Sequence, residues 1–183
     1  MENKLSKVRL KRNESFNIRE GWMRKGMKLF IKQRVFSFAD TFVVKDDYGN
    51  DIYFVQGEFF SWGHKLHIYD KNNNEVAFIK EKVLSLMPTF EININGELIG
   101  KLVKKVTFFK SKYYIEGTSL ELEGKIMEHD YVLKSGGMPI MTIYKEWLTW
   151  GDSYVLDIEN EKDELLCLAV VLAVDCEICS RSN

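Results

Sequence analysis

The stretch Leu165-Leu166-Cys167-Leu168-Ala169-Val170-Val171-Leu172-Ala173-Val174 decides the fold. No polar residue interrupts it for nearly three helical turns. Just before it, Asn160-Glu161-Lys162-Asp163-Glu164 reads as a helix start, because Asn caps and acids suit the positive end of the helix dipole. A helix that is apolar on every face has to be surrounded. Spanning a bilayer takes about 20 apolar residues, so this ten-residue run is too short for lipid to do the surrounding. Its neighbours have to come from the chain itself.

The preceding sequence supplies them. From Met27 onward, short runs rich in Val, Ile, Phe, Tyr and Trp alternate with turn signals. The pattern predicts about twelve strands, over 27–34, 41–45, 51–57, 62–70, 75–82, 88–94, 97–106, 112–116, 120–127, 129–135, 139–147 and 153–159. Asn95-Gly96 is the strongest hairpin signal, since a type I′ turn needs positive φ at both positions. Leu120-Glu121-Leu122-Glu123 alternates, with one face for a core and one for water. No helical stretches separate the strands, so the sheet is an antiparallel meander. The expected architecture is a mainly β, closed antiparallel barrel around a buried hydrophobic C-terminal helix. A sandwich with the helix on one open face is the runner-up. Leu165, Leu168, Val171 and Leu172 are the expected structural residues of the helix. Asp175, one turn beyond Val171, is the carboxylate that the helix carries toward the barrel mouth.

Composition agrees. The chain has 183 residues, 45% of them apolar and 29% charged, with three Cys and two Pro. That is one globular domain, which excludes disorder, collagen and a disulfide scaffold. Cys167, Cys176 and Cys179 crowd the last 17 residues and read as reduced core thiols. The N-terminus has no signal-peptide run, so a cytoplasmic location is expected.

The formal charge of −1 conceals an asymmetry. Residues 1–34 carry 11 Lys or Arg against three acids, which makes them +8 and leaves −9 for the remainder. Residues 1–24 are expected to form a basic arm or short helix before a single domain over 25–183. A second basic stretch holds Lys101, Lys104, Lys105, Lys110 and Lys112 with no acid between them.

The chain resembles the LURP-one-related family of the tubby C-terminal-like superfamily, in its small bacterial form. The likeness rests on Met27–Gln33 (MKLFIKQ), Tyr53–Phe60 (YFVQGEFF), Gly63–Tyr69 (GHKLHIY) and Gly117–Glu123. It continues through Trp150–Tyr154 and Leu165–Cys176 (LLCLAVVLAVDC). The resemblance implies a twelve-stranded barrel around a buried C-terminal helix. The superfamily includes phosphoinositide-binding tubby proteins and the phospholipid scramblases, but no lipid-binding residue transfers one by one onto this chain.

Catalytic and metal motifs do not emerge. His64 and His67 should point to opposite faces of a strand, and His129 beside Asp130 reads as a surface hairpin residue. Asp175 reads as a structural carboxylate bonded to backbone amides or to a Lys or Arg, the alternative being a titrating or ligand-contacting group in the barrel mouth. No metal or cofactor is expected, and an enzyme is disfavoured because the helix fills the barrel. The leading expectation is a non-catalytic module that docks on an anionic phospholipid surface through Lys101, Lys104, Lys105, Lys110 and Lys112, peripheral at the inner membrane face. Attraction of about 1 kcal/mol per basic residue would drive it, and Phe108-Phe109 between lysines would add insertion. The alternative is a protein-interaction or structural domain without lipid binding. Nucleic acid is disfavoured.

Overall fold

The computed structural model describes residues 26–32, 41–58, 63–106, 111–148 and 151–180. The expected arm over 1–24, Lys110 and Phe108-Phe109 lie outside the described residues. Among the described residues, twelve antiparallel strands close into a barrel: β1 (Met27–Lys32), β2 (Thr41–Lys45), β3 (Asp51–Gly57), β4 (Lys65–Asp70), β5 (Glu75–Glu81) and β6 (Phe90–Ile94), then β7 (Glu97–Val106), β8 (Ser111–Glu116), β9 (Leu120–Lys125), β10 (Asp130–Ser135), β11 (Met138–Leu148) and β12 (Gly151–Ile158). Each strand pairs with its neighbours in sequence, and β12 returns to β1 with Leu29 opposite Leu156. This closure excludes the sandwich. Helix α1 (Glu164–Ser180) follows β12.

The packing follows from size. Eight strands enclose an interior that side chains alone can fill, and twelve leave room for more. Here α1 fills it, with every residue from Cys167 to Glu177 buried. The wall meets it with alternating side chains such as Leu29, Ile31, Val55, Ile68, Leu133 and Ile143, all fully buried. Burial of a Val or Leu side chain contributes about 1.5–3 kcal/mol, so the helix core is a large share of the stability. Leu165 is half-buried, while Leu168, Val171 and Leu172 are fully buried.

Local chemistry sets the boundaries. The Asn160 side chain accepts from Lys162 N at 3.2 Å and starts a 3-10 turn, Glu161–Asp163, that leads into α1. Asn95 and Gly96 take φ of 51° and 81°, the two positive values of the expected turn. The strand expected over 120–127 ends at Lys125, where a 3-10 turn, Ile126–Glu128, begins.

Because the barrel is a meander, its connections alternate between two ends. At one end lie the tight turns 46–50, 71–74, 95–96 and 136–137. Asp46 and Asp70 each brace their turns by accepting backbone N–H groups two and four residues on. Register shifts at Val44/Lys45, Ile68/Tyr69, Ile92/Asn93 and Leu133/Lys134 all fall beside these turns. Such bulges bend and twist the strands. Helix α1 enters here, so its C-terminus points to the opposite end. There the described connections are 82–89 and 126–129.

Val171→Asp would put an unpaired charge among fully buried side chains. That costs several kcal/mol against a typical total of about 5–15 kcal/mol. The expected outcome is loss of cooperative thermal unfolding in circular dichroism. A soluble variant with a sharp melt would show that the helix is not encased.

Candidate functional site

The barrel wall parts between β8 and β9. These strands are paired only at Tyr113 with Leu122 and at Tyr114 with Glu121. Toward the end where α1 finishes, β8 still contains Ser111 and Lys112, and β9 still contains Glu123 to Lys125, yet the ladder between them stops. β9 leaves β8 because it follows β10, with Gly124 opposite Tyr131. Gly124 has φ of 136°, and a Cβ there would sit 2.6 Å from Asp130 O and 2.7 Å from Tyr131 Cα. Only glycine allows that approach. The result is a cleft of about 1060 Å³ lined by Lys104, Lys105, Lys112, Tyr113, Tyr114, Glu121, Leu122, Glu123, Gly124, Ile126 and Met127.

Strand alternation sorts the lining. On β7, Leu102 and Lys104 belong to the inward row, and Lys101 and Lys105 to the outward one. Lys104 lies opposite Tyr113, with Nζ 5.2 Å from the ring centroid. Lys105 lies opposite Lys112, and both are exposed. Neither makes an ion pair with a described residue. Like charges in register repel, so this pair suits an anion between them. Lys101 is different: it lies about 13 Å down the strand from Lys105, opposite Glu116, with Glu91 at 3.9 Å. On the other lip, Glu123 is ion-paired with Lys134.

Behind the cleft is a buried polar cluster that sequence reasoning misses. Tyr113 Oη donates to Glu177 Oε2 at 2.9 Å, and Glu177 is buried on α1. His129 Nε2 lies 2.5 Å from Asp175 Oδ1. His129 is therefore no surface residue: it is 8% exposed and stacks on Tyr154 at 4.1 Å between ring centroids. Its left-handed backbone, φ 52°, at the end of the 3-10 turn swings the ring inward. Asp175 is buried on the helix, and its partner is this imidazole rather than an amide, a Lys or an Arg. Burial pushes the Asp175 carboxyl above its usual range, against the pull of His129. Burial and the Asp175 charge push the Tyr131 hydroxyl up as well. Tyr131 Oη and Asp175 Oδ2 have no hydrogen-bond partner among the described residues. The available signal is alternation: Tyr113, Tyr131 and Tyr154 each stand two residues before a buried Ile115, Leu133 or Leu156.

The other sequence candidates have separate partners. His64 Nδ1 lies 2.5 Å from Glu81, and His67 lies between Glu75 at 2.6 Å and Glu58 at 2.9 Å. Among the described residues no group of three or more His, Cys, Asp or Glu could hold a metal ion. The thiol of Cys167 is pushed up to about 12 by burial, and those of Cys176 and Cys179 are also raised. Raised thiols are poor nucleophiles.

Fold and site together define a twelve-stranded barrel threaded by its own helix, with a parted wall near the helix C-terminus. The chain belongs to the LURP-one-related family, whose family model matches residues 27–175. It is 38% identical over 149 residues to the uncharacterized protein YxjI of Bacillus subtilis (strain 168), covering 81% of this chain and 92% of that one. The X-ray structure of a protein from Arabidopsis thaliana has a similar fold, with a TM-score of 0.56 at 15% identity over 82% of this chain and 90% of that one. The architecture that the resemblance implied is the one observed.

The buried pair makes a pH signature. With its folded pKa raised, Asp175 holds a proton more tightly in the folded chain than in the unfolded one. Its contribution to stability is therefore most favourable below the ordinary carboxylate value, and is lost as pH rises through the raised folded value. Asp175→Asn removes this titration. The stability of the wild type relative to D175N should fall as pH rises across that window and then level off. Melting temperatures in a pH series measure it, and a pH-independent difference would contradict the assignment. His129→Ala should cost about 3 kcal/mol near neutral pH, because it strands the carboxylate.

Proposed function

We propose that this protein is a non-catalytic module that docks on anionic phospholipid surfaces with the end of the barrel where α1 finishes. The single observation that carries the reading is the contrast between the two ends. The connection 82–89 presents Lys82-Val83-Leu84-Ser85-Leu86-Met87, with Leu84 95% and Leu86 104% exposed. The loop is braced rather than loose: Lys82 N donates to Thr89 O at 2.8 Å, and Thr89 Oγ1 donates to Met87 O at 3.0 Å. Met127, in the connection 126–129 at the same end, is 62% exposed. Lys82 opens this loop, and Lys105 and Lys112 lie near the same end of β7 and β8. At the opposite end, the turns are built mainly from Asp, Asn and Gly, and the exposed apolar side chains Tyr48, Leu98 and Met138 are spread one to a hairpin instead of grouped on one loop.

Two leucines held out into water on a braced loop lose solvation cost when they enter the acyl boundary. Lysines at the same end attract the negative surface of an anionic leaflet. On this reading Lys105 and Lys112 are the centre of the expected basic site, Lys82 joins them, and Lys101 has a structural pairing with the acids around it. Among the described residues no helix is long and apolar enough to cross a membrane, so the association proposed is peripheral.

Co-sedimentation with phosphatidylcholine vesicles, with and without phosphatidylglycerol, tests the reading. Binding should require the anionic lipid and weaken with added salt. Lys105→Glu with Lys112→Glu should reduce it, and so should Leu84→Ser with Leu86→Ser, because all four positions are outside the core. Equal binding to both vesicle types, or none at low salt, would sink the proposal. A dimer in light scattering that L84S/L86S dissolves would assign the loop to a second copy of the chain instead.

A further inference from the structure

The parted wall has a different character from the docking end as a whole. A flat anionic surface can meet Lys105, Lys112 and the leucine loop without entering the cleft. Yet the cleft runs through the wall. Its outer lip carries Lys105 and Lys112, opposite each other and in register. Its inner side, the floor, carries buried Leu122 and Ile126 beside the Tyr113 ring, with Lys104 Nζ over that ring and exposed Met127 at the rim. The far lip carries two acids, and both adjoin Lys134: Glu123 is ion-paired with it and Glu121 lies opposite it on β10. At about 1060 Å³ the cleft is at the upper end of the range for small-molecule sites, about 300–1000 Å³.

The two halves of this site ask for different chemistry at fixed separation. Two facing lysines are satisfied by one anionic group between them. The apolar side chains reached past that group are satisfied by a hydrocarbon chain, which loses water on entering. Inorganic phosphate or a short carboxylate would use the lip and leave the floor wet. A neutral hydrocarbon would use the floor and leave the lysines in mutual repulsion. We infer that the cleft between β8 and β9 binds a single-chain anionic amphiphile, with its head group on Lys105 and Lys112 and its chain along Leu122, Ile126 and Met127. Gly124 is the device that keeps the site open, because its backbone lets β9 follow β10 instead of zipping onto β8. Lys105, Lys112 and Met127 are shared with the proposed docking surface, but Lys82, Leu84 and Leu86 are not, so the two activities are separable.

The test uses the full chain without vesicles. A conjugated polyene fatty acid, kept below its micelle concentration, is titrated in while its fluorescence is followed. The expected result is a saturable rise at one probe per chain. The affinity should fall by roughly tenfold or more in K105E/K112E and in Met127→Trp, which fills the floor from an exposed position. The methyl ester of the same acid should bind far more weakly, and inorganic phosphate should not displace the acid at comparable concentration. L84S/L86S should bind the acid like the wild type even where it no longer sediments with vesicles. No saturable rise, undiminished binding in both K105E/K112E and M127W, or an ester that binds as tightly as the acid would overturn the inference.

Discussion

The need to surround an apolar helix governs this structure. Residues Cys167 to Glu177 are buried on every side, and a helix with no polar face has nowhere to lie on the outside of a protein. One sheet face could cover only half of it. A closed sheet covers all of it, and closing the sheet also removes the free strand edges that would pair with another chain. The barrel is wide enough to need a filler and the helix needs a wall, so each element supplies what the other lacks.

The two ends of the barrel are built differently. The end where α1 enters carries four register shifts and turns whose Asp side chains accept backbone N–H groups. The described residues at the other end differ in kind. The β8–β9 ladder stops there after two pairs, polar groups appear inside the wall, and leucines stand exposed on a braced loop. Buried Asp175 and Glu177 are tolerated because His129 and Tyr113 reach them. Polar chemistry inside a barrel is costly unless it is paired, so its concentration at one end accords with the docking role proposed for that end.

Part of this architecture is legible in the amino-acid order. The strand limits expected at 41–45, 51–57 and 97–106 coincide with the observed ones, and each is bounded on one side by turn residues with a definite backbone preference, Asp46–Asn50 or Asn95-Gly96. The Asn95-Gly96 turn is legible for the same reason. The polar cluster is not. His129 beside Asp130 looks like a surface pair, and only a left-handed backbone at the end of a 3-10 turn reverses its direction. The tyrosines are within reach, since alternation puts Tyr113, Tyr131 and Tyr154 on the inner row. The leucine loop is hidden by its composition: Val83, Leu84, Leu86 and Met87 have the same apolar texture as the strands on either side.

Two conclusions follow from the linear chain with no folding considered: a ten-residue apolar helix must be enclosed, and about twelve strands are available to enclose it. Both rest on periodicity and length, which are local properties. Which lysines share a place is settled only when the strands pair. Lys101, Lys104 and Lys105 look alike in sequence, yet the first faces Glu116, the second covers Tyr113 and the third faces Lys112. The parting of the wall between β8 and β9 is likewise a product of folding, because it depends on how closely β9 can approach β10 at Gly124. Register and close approach are relations between distant segments, and no single segment carries them.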